Sequence, residues 1–436
     1  MAYTQNVDAC LGIAGSGALE PVLEEVRAAL THLALAHQQG TLPLLHVPAR
    51  RDDLGLLSDI ADWMLPGATD IVILGTGGSS LGAQALAQLA GYCLPVAIPP
   101  QGRPRLHFLD NLDPWTQADV LYRLPLDTTR WLVVSKSGGT AETMAQMLTV
   151  LARLEEAGFG GEARRVMVAL TETRDSPLAR LAAAHGLPHV PHDPGVGGRY
   201  AVLTSVGALP ALLMGLDPVA MREGAAGVLQ PILDGADVLD VAPAVGAGVL
   251  ALLERERGVR SHVLMGYGDR LQRFALWHRQ LWAESLGKNG KGAGLEAATG
   301  PVDQHSQLQL WLDGPAERSF TLLVPEMKGQ GPVFPAGEAP DPDLAWLSGN
   351  TVGDLVAAEA QATADSLNAA GRPVRTMRIE TLNERALGAL FMHFMLETII
   401  AAHLLGVDPY DQPAVEDGKR RARAALDRTA GETAAS

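Results

Sequence analysis

The chain has 436 residues and a formal net charge of -15, with 47% apolar and 19% charged residues. That length exceeds what one hydrophobic core fills and that composition is globular, so two domains are expected and a disordered chain is excluded. The acidic balance, with no basic block before residues 419–423, speaks against nucleic acid and anionic membrane as partners. An anionic small substrate is still compatible with a locally positive site.

Two cysteines, Cys10 and Cys93, make no disulfide framework and no C-x-x-C pattern, so a reducing cytoplasm is the expected compartment. The N-terminus has no basic start followed by an apolar core. The most apolar stretch, residues 389–405, carries His393, Glu397 and His403 and reads as a buried helix instead of a membrane span.

Residues 1–66 read as a helical, peripheral segment, with 43–51 as a loop and a short helix at 58–64 that Ser58 can cap. From Asp70 short apolar runs alternate with helical stretches: 71–75, 105–110, 131–135, 164–170 and 188–192. After a helical stretch at 218–258 the alternation starts again with runs at 261–267, 319–326 and 373–380. The expected fold is therefore α/β, two doubly wound parallel sheets with helices on both faces. The expected division is 1–66, 67–217, 218–407 and a helical tail at 408–436. Residues 329–343, with four Pro and three Gly, read as a surface loop or lid.

In such sheets ligands sit beyond the carboxyl ends of the strands. Two turns there suit an anion. Residues 75–82 (GTGGSSLG), including Gly78 and Ser79, open a helix with a glycine-rich backbone. Residues 135–143 (SKSGGTAET) crowd Ser135, Lys136, Ser137 and Thr140 into one turn, enough donors for a phosphate. Ser79 and Thr140 are also good helix caps. One such turn is weak; two after strands favour a sugar-phosphate cradle. A dinucleotide site fits poorly, because Ser80 stands where G-x-G-x-x-G needs its third Gly and Asp110 lies about 35 residues after Gly75. No Walker pattern is present.

Residues 281–292 (LWAESLGKNGKG) place Glu284 where an amphipathic run, 269–286, breaks into a Gly- and Lys-rich loop. A carboxylate on a helix end beside a flexible cationic loop suits proton abstraction next to a bound anion. Taken alone, the same residues are a helix end with Gly287 as cap and Lys288 and Lys291 complementing the dipole. Arg199, in GGRY, can face an oxyanion; His305 opens a short helix and can exchange protons; Lys419 sits in a helix starting near Pro413. His393 and Glu397 share a helix face without a third ligand, and His189 and His192 straddle a Pro in a loop, so no metal is expected.

In order, these segments resemble the glucose-6-phosphate isomerase family. Its G-x-G-G-S-x-L-G is met by residues 75–82, its S-K-(S/T)-x-x-T-x-E-T by 135–143, and its G-G-R-Y/F by 197–200. Its E-S-x-G-K is met by 284–288, its Q-H-S by 304–306, and its D-Q-x-x-V-E-x-G-K by 411–419. The resemblance implies two sugar-isomerase (SIS) domains and a sugar-phosphate substrate. It implies that Ser79, Ser135, Lys136 (mainly by backbone), Ser137 and Thr140 hold the phosphate. His305, supplied by the partner of a homodimer, and Lys419 would handle ring opening, and Gln412 would touch substrate. Glu284 would move a proton between C2 and C1 through a cis-enediol whose charge Arg199 stabilises, with no cofactor or metal. The chain departs from the family's pattern at Leu286, where many members have Asn, at Ala201 for Ser, and in its glycine-rich second turn. Those departures leave open a phosphomannose activity. A non-catalytic sugar-phosphate sensor would keep the turns, but it could dispense with Glu284, His305 and Lys419, all present.

Overall fold

The computed structural model describes residues 2–14, 19–93, 102–336 and 341–435. Among these residues are ten strands: β1 (Tyr3–Asn6), β2 (Asp70–Leu74), β3 (Arg105–Leu109), β4 (Thr129–Val134), β5 (Met167–Thr171), β6 (His189–Pro191), β7 (Ser261–Tyr267), β8 (Gly294–Gly300), β9 (Arg318–Pro325) and β10 (Val374–Ile379). They form two five-stranded sheets, ordered β3-β2-β4-β5-β6 and β1-β10-β9-β7-β8. All pairings are parallel except β1 with β10.

Strand alternation explains the layers. On β2, Ile71 and Ile73 face a central core shared with the second sheet, while Val72 and Leu74 face outward under the helices Ala141–Glu156 and Pro177–Ala184. In the second sheet Leu264, Leu323 and Met377 face the central core, and Val263, Phe320 and Val374 face a third cluster with Trp311. The helices Pro218–Leu233 and Glu384–Leu405 fill the middle. The latter is long and apolar enough to cross a bilayer, yet it is buried inside the protein.

The N-terminal segment corrects the expectation that it is peripheral. β1 extends the second sheet, and helix Leu19–Gln39 buries eight side chains in the central core. Residues 43–49 form a 3-10 helix instead of a loop, and the next helix, Leu54–Met64, follows Asp53, so Ser58 lies inside it and caps nothing. Residues 163–166 are helical, and β5 starts only at Met167. β1 is held by a buried relay. Tyr3 Oη meets His393 Nδ1 at 2.6 Å, His393 Nε2 meets Glu397 Oε2 at 3.1 Å, and Arg375 Nη2 donates to Glu397 Oε1 at 3.0 Å. Burial opposes ionisation of Glu397, but Arg375 and His393 outweigh it and hold the carboxyl well below its ordinary range. His393 and Glu397 thus serve this relay. His189 opens β6 and is no loop residue; His192 follows that strand and is buried. Of the 329–343 segment, 337–340 lie outside the described residues, and Pro342–Leu347 is a 3-10 helix.

Candidate active site

β2 and β4 are neighbours, and the chain leaves them for opposite sides of the sheet, so their carboxyl ends mark the topological switch point. The two turns lie side by side there: a Cβ on Gly75 would stand 3.1 Å from Val134 O. In the first turn, Gly77–Ser79 is a single 3-10 turn before helix Leu81–Leu89. A Cβ on Gly78 would come within 2.3 Å of the Gly198 carbonyl carbon and 2.5 Å of Arg199 N, so only glycine lets the turn lie against residues 197–199. Gln84 Nε2 braces the turn from behind, donating to Ser80 Oγ at 2.9 Å and Asp110 Oδ2 at 2.7 Å.

In the second turn Ser135 Oγ and Thr140 Oγ1 are 3.0 Å apart. Ser79 lies in the 3-10 turn ahead of a helix whose N-cap is Ser80, and Thr140, at the N-cap of its helix, makes no side-chain cap bond, so capping does not account for those hydroxyls. Gly138 has φ +64, and a Cβ there would lie 2.1 Å from Ser176 Oγ. Ser137 Oγ accepts from Gly139 N at 3.3 Å. Lys136 holds the turn by its backbone: its carbonyl accepts from Glu172 N and Thr171 Oγ1, both at 3.3 Å, while its Nζ is 3.7 Å from Glu172.

Helix Gln272–Leu286 brings Glu284 to this place. One helical turn earlier, Gln280 Nε2 donates to Glu284 Oε1 at 2.7 Å, and the same nitrogen is 2.8 Å from where a Gly77 Cβ would be. Gln280 therefore spans from the first turn to the carboxylate. From the other side, the buried Arg199 donates through Nη1 to Glu284 Oε2 at 3.1 Å and Gln412 Oε1 at 2.8 Å. Its Nε reaches Ser285 Oγ at 2.9 Å, and its Nη2 reaches Pro409 O at 2.6 Å and Asp411 O at 3.0 Å. All five N–H donors of the guanidinium are engaged. Tyr200 Oη also meets Ser285 Oγ, at 2.9 Å; burial leads in pushing its phenol up to about 12, so it stays protonated at neutral pH.

The structure thus gathers Gly78, Ser79, Ser135, Lys136, Ser137, Thr140, Arg199, Glu284 and Gln412 at the carboxyl ends of the first sheet and the helix facing them. His305 and Lys419 are not among them. His305 is exposed in the short helix Val302–Ser306, and Lys419 is exposed in helix Glu416–Ala435, paired with Glu416 at 2.7 Å. Among the described residues no hydrogen bond or ion pair joins either to Glu284. Gly287 is the cap of this helix as expected, with φ -71 and its N–H on Ala283 O, while the flexible cationic loop is corrected: Lys288 and Lys291 bind backbone carbonyls and are committed. Sequence reasoning missed Gln280, although its i-4 spacing from Glu284 on one helix face was available as a signal.

A sequence profile of phosphoglucose isomerase matches residues 64–307. A glucose-6-phosphate isomerase of Rubrobacter xylanophilus is 39% identical over 406 residues, 92% of this chain and 92% of that one. The chain belongs to the phosphoglucose isomerase family. Among solved structures, a hypothetical protein of Thermus thermophilus matches with a TM-score of 0.86 at 32% identity, over 97% of this chain and 99% of that one. A glucose-6-phosphate isomerase of Chlamydia trachomatis shares the fold, with a TM-score of 0.79 at 19% identity, over 94% of this chain and 86% of that one. Against the phosphoglucose isomerase pattern, the departures at Leu286 and Ala201 fall on fully buried core positions. Leu286 packs in the central core, directly after the helix turn that carries Glu284.

Proposed function

We propose that this chain interconverts glucose 6-phosphate and fructose 6-phosphate, with Glu284 as the base that carries a proton between C2 and C1. The observation that carries the reading is the Glu284–Arg199 contact at 3.1 Å beside two hydroxyl-rich turns. A proton next to a carbonyl is removed by a carboxylate when a cation holds the oxyanion that develops, and both groups stand here in one place. The turns at 75–82 and 135–143 hold the phosphate through Ser79, Ser135, Ser137, Thr140 and the backbone at Gly78 and Lys136. Gln412, held by Arg199, contacts the sugar. The residues so used need no metal or cofactor to make the step balance: the proton leaves one carbon for Glu284 and returns to its neighbour.

Ring opening falls to His305 and Lys419 in this reading. Their exposure in the single chain is consistent with a homodimer in which His305 is supplied across the interface. The two free thiols, Cys10 buried and Cys93 half-buried, suit a reducing cytoplasm. The experiment is turnover of fructose 6-phosphate to glucose 6-phosphate by the purified chain with EDTA present, and of mannose 6-phosphate in parallel. Turnover of the glucose pair supports the reading; sugar-phosphate binding without turnover supports a sensor in its place. For the dimer, mixing the inactive Glu284→Gln and His305→Ala chains under exchange should restore activity, and no recovery would contradict His305 acting across an interface.

A further inference from the structure

We infer that the turn from Lys288 to Lys291 is a clamp, and that Lys288 is a positioning residue for turnover, acting through the strap at 405–412; this rests on the isomerase reading above. Asn289 and Gly290 have φ +54 and +72, the double left-handed signature of a tight type I′ hairpin turn. Lys288 and Lys291 bridge across it as an antiparallel pair, so their side chains project from one face. Both reach the same neighbour. Lys291 Nζ donates at 2.7 Å to the carbonyl of Leu405, the last residue of helix Glu384–Leu405. Lys288 Nζ donates to Ser285 O at 3.1 Å, at the end of the Glu284 helix, and to Asp408 O, and pairs with Asp411 Oδ1 at 2.9 Å. Two lysines thus bind helix-end and strap carbonyls, where cations are favoured.

The strap matters because it leads into the catalytic pair. Arg199 holds Pro409 O and Asp411 O, and the next residue, Gln412, accepts from the same Arg199 nitrogen that meets Glu284. Releasing Asp408 and Asp411 moves Gln412 and unbalances the guanidinium that faces the base. A displacement of ~1 Å at such a site costs on the order of 10²-fold in rate, so even partial release is measurable.

The test uses the full chain. Lys288→Met keeps the apolar stem without the ammonium, Lys288→Arg keeps a cation, and Gly290→Val breaks the left-handed turn without altering either lysine. For Lys288→Met and Gly290→Val we expect kcat on fructose 6-phosphate to fall roughly tenfold or more, with KM changed less than about threefold, Tm shifted by only a few degrees, and faster amide exchange across residues 406–412. Lys288→Arg should recover most of the rate. Wild-type-like kcat and exchange in Lys288→Met, or a loss of kcat matched by general unfolding, would overturn the clamp. If the wild-type chain turns over neither sugar phosphate, the isomerase reading fails while the exchange measurement still decides whether Lys288 holds the strap.

Discussion

Arg199 Nη1 donates to Glu284 Oε2 at 3.1 Å and to Gln412 Oε1 at 2.8 Å, joining residues 85 and 213 positions away from it. Its planar fork engages five acceptors, a geometry an ammonium cannot reproduce. Arg199→Lys should therefore lower kcat by on the order of 10²-fold or more, as loss of a charge-stabilising donor does. Steady-state kinetics check this; a variant within threefold of wild type would show that the guanidinium geometry is dispensable.

Gly78 is a packing requirement of the first turn. The atoms its Cβ would strike, at 2.3 and 2.5 Å, are backbone of Gly198 and Arg199 and cannot turn aside. Gly78→Ala should cost about 1–3 kcal/mol of stability and most of the activity. Gly139→Ala is the contrast: its Cβ would meet only Pro177, at 3.9 Å, so its Tm should stay at the wild-type value. Thermal unfolding of both separates the two positions.

His278 gives the pH dependence a definite sign. It is buried on the Glu284 helix against Trp277, Trp282 and Phe394, and neither ring nitrogen has a partner among the described residues. Burial dominates in pushing it down to about 3; Glu397 opposes that, and Arg375, His393 and His262 add to it. The unfolded chain takes up this proton near ~6.5, so the contribution is present above that pH and is lost as pH falls toward 3. His278→Phe should be near-neutral at pH 8 and gain about 1–2 kcal/mol relative to wild type at pH 5, read from urea midpoints at the two pH values. Equal midpoint differences at both would contradict it.

The strands rich in Val, Ile and Leu were legible in the sequence because their apolar runs are period-two or fully buried. β1 (YTQN) and β8 (GLEAATG) were not: neither carries an apolar run, and their strand character comes from pairing with β10 and β7. The two turns, Arg199 and Glu284 were legible as motifs in order. The strap was not, because beyond the side chains of Asp411 and Gln412 its anchors are the backbone carbonyls of Asp408, Pro409 and Asp411, which no side-chain pattern encodes. The lysines of 288–291 look like free charge in the sequence for the same reason. His305 and Lys419 take a role only from the family pattern, and the single chain leaves both exposed.

Incorporation of solvent deuterium at C2 of glucose 6-phosphate formed from fructose 6-phosphate tests the central claim most directly, because it reports the proton that Glu284 is said to carry. The wild-type chain should incorporate deuterium, and Glu284→Gln, at unchanged Tm, should lose both exchange and turnover by ~10²–10⁴-fold, the usual contribution of a positioned general base. Exchange in Glu284→Gln within tenfold of wild type would mean that another group moves the proton.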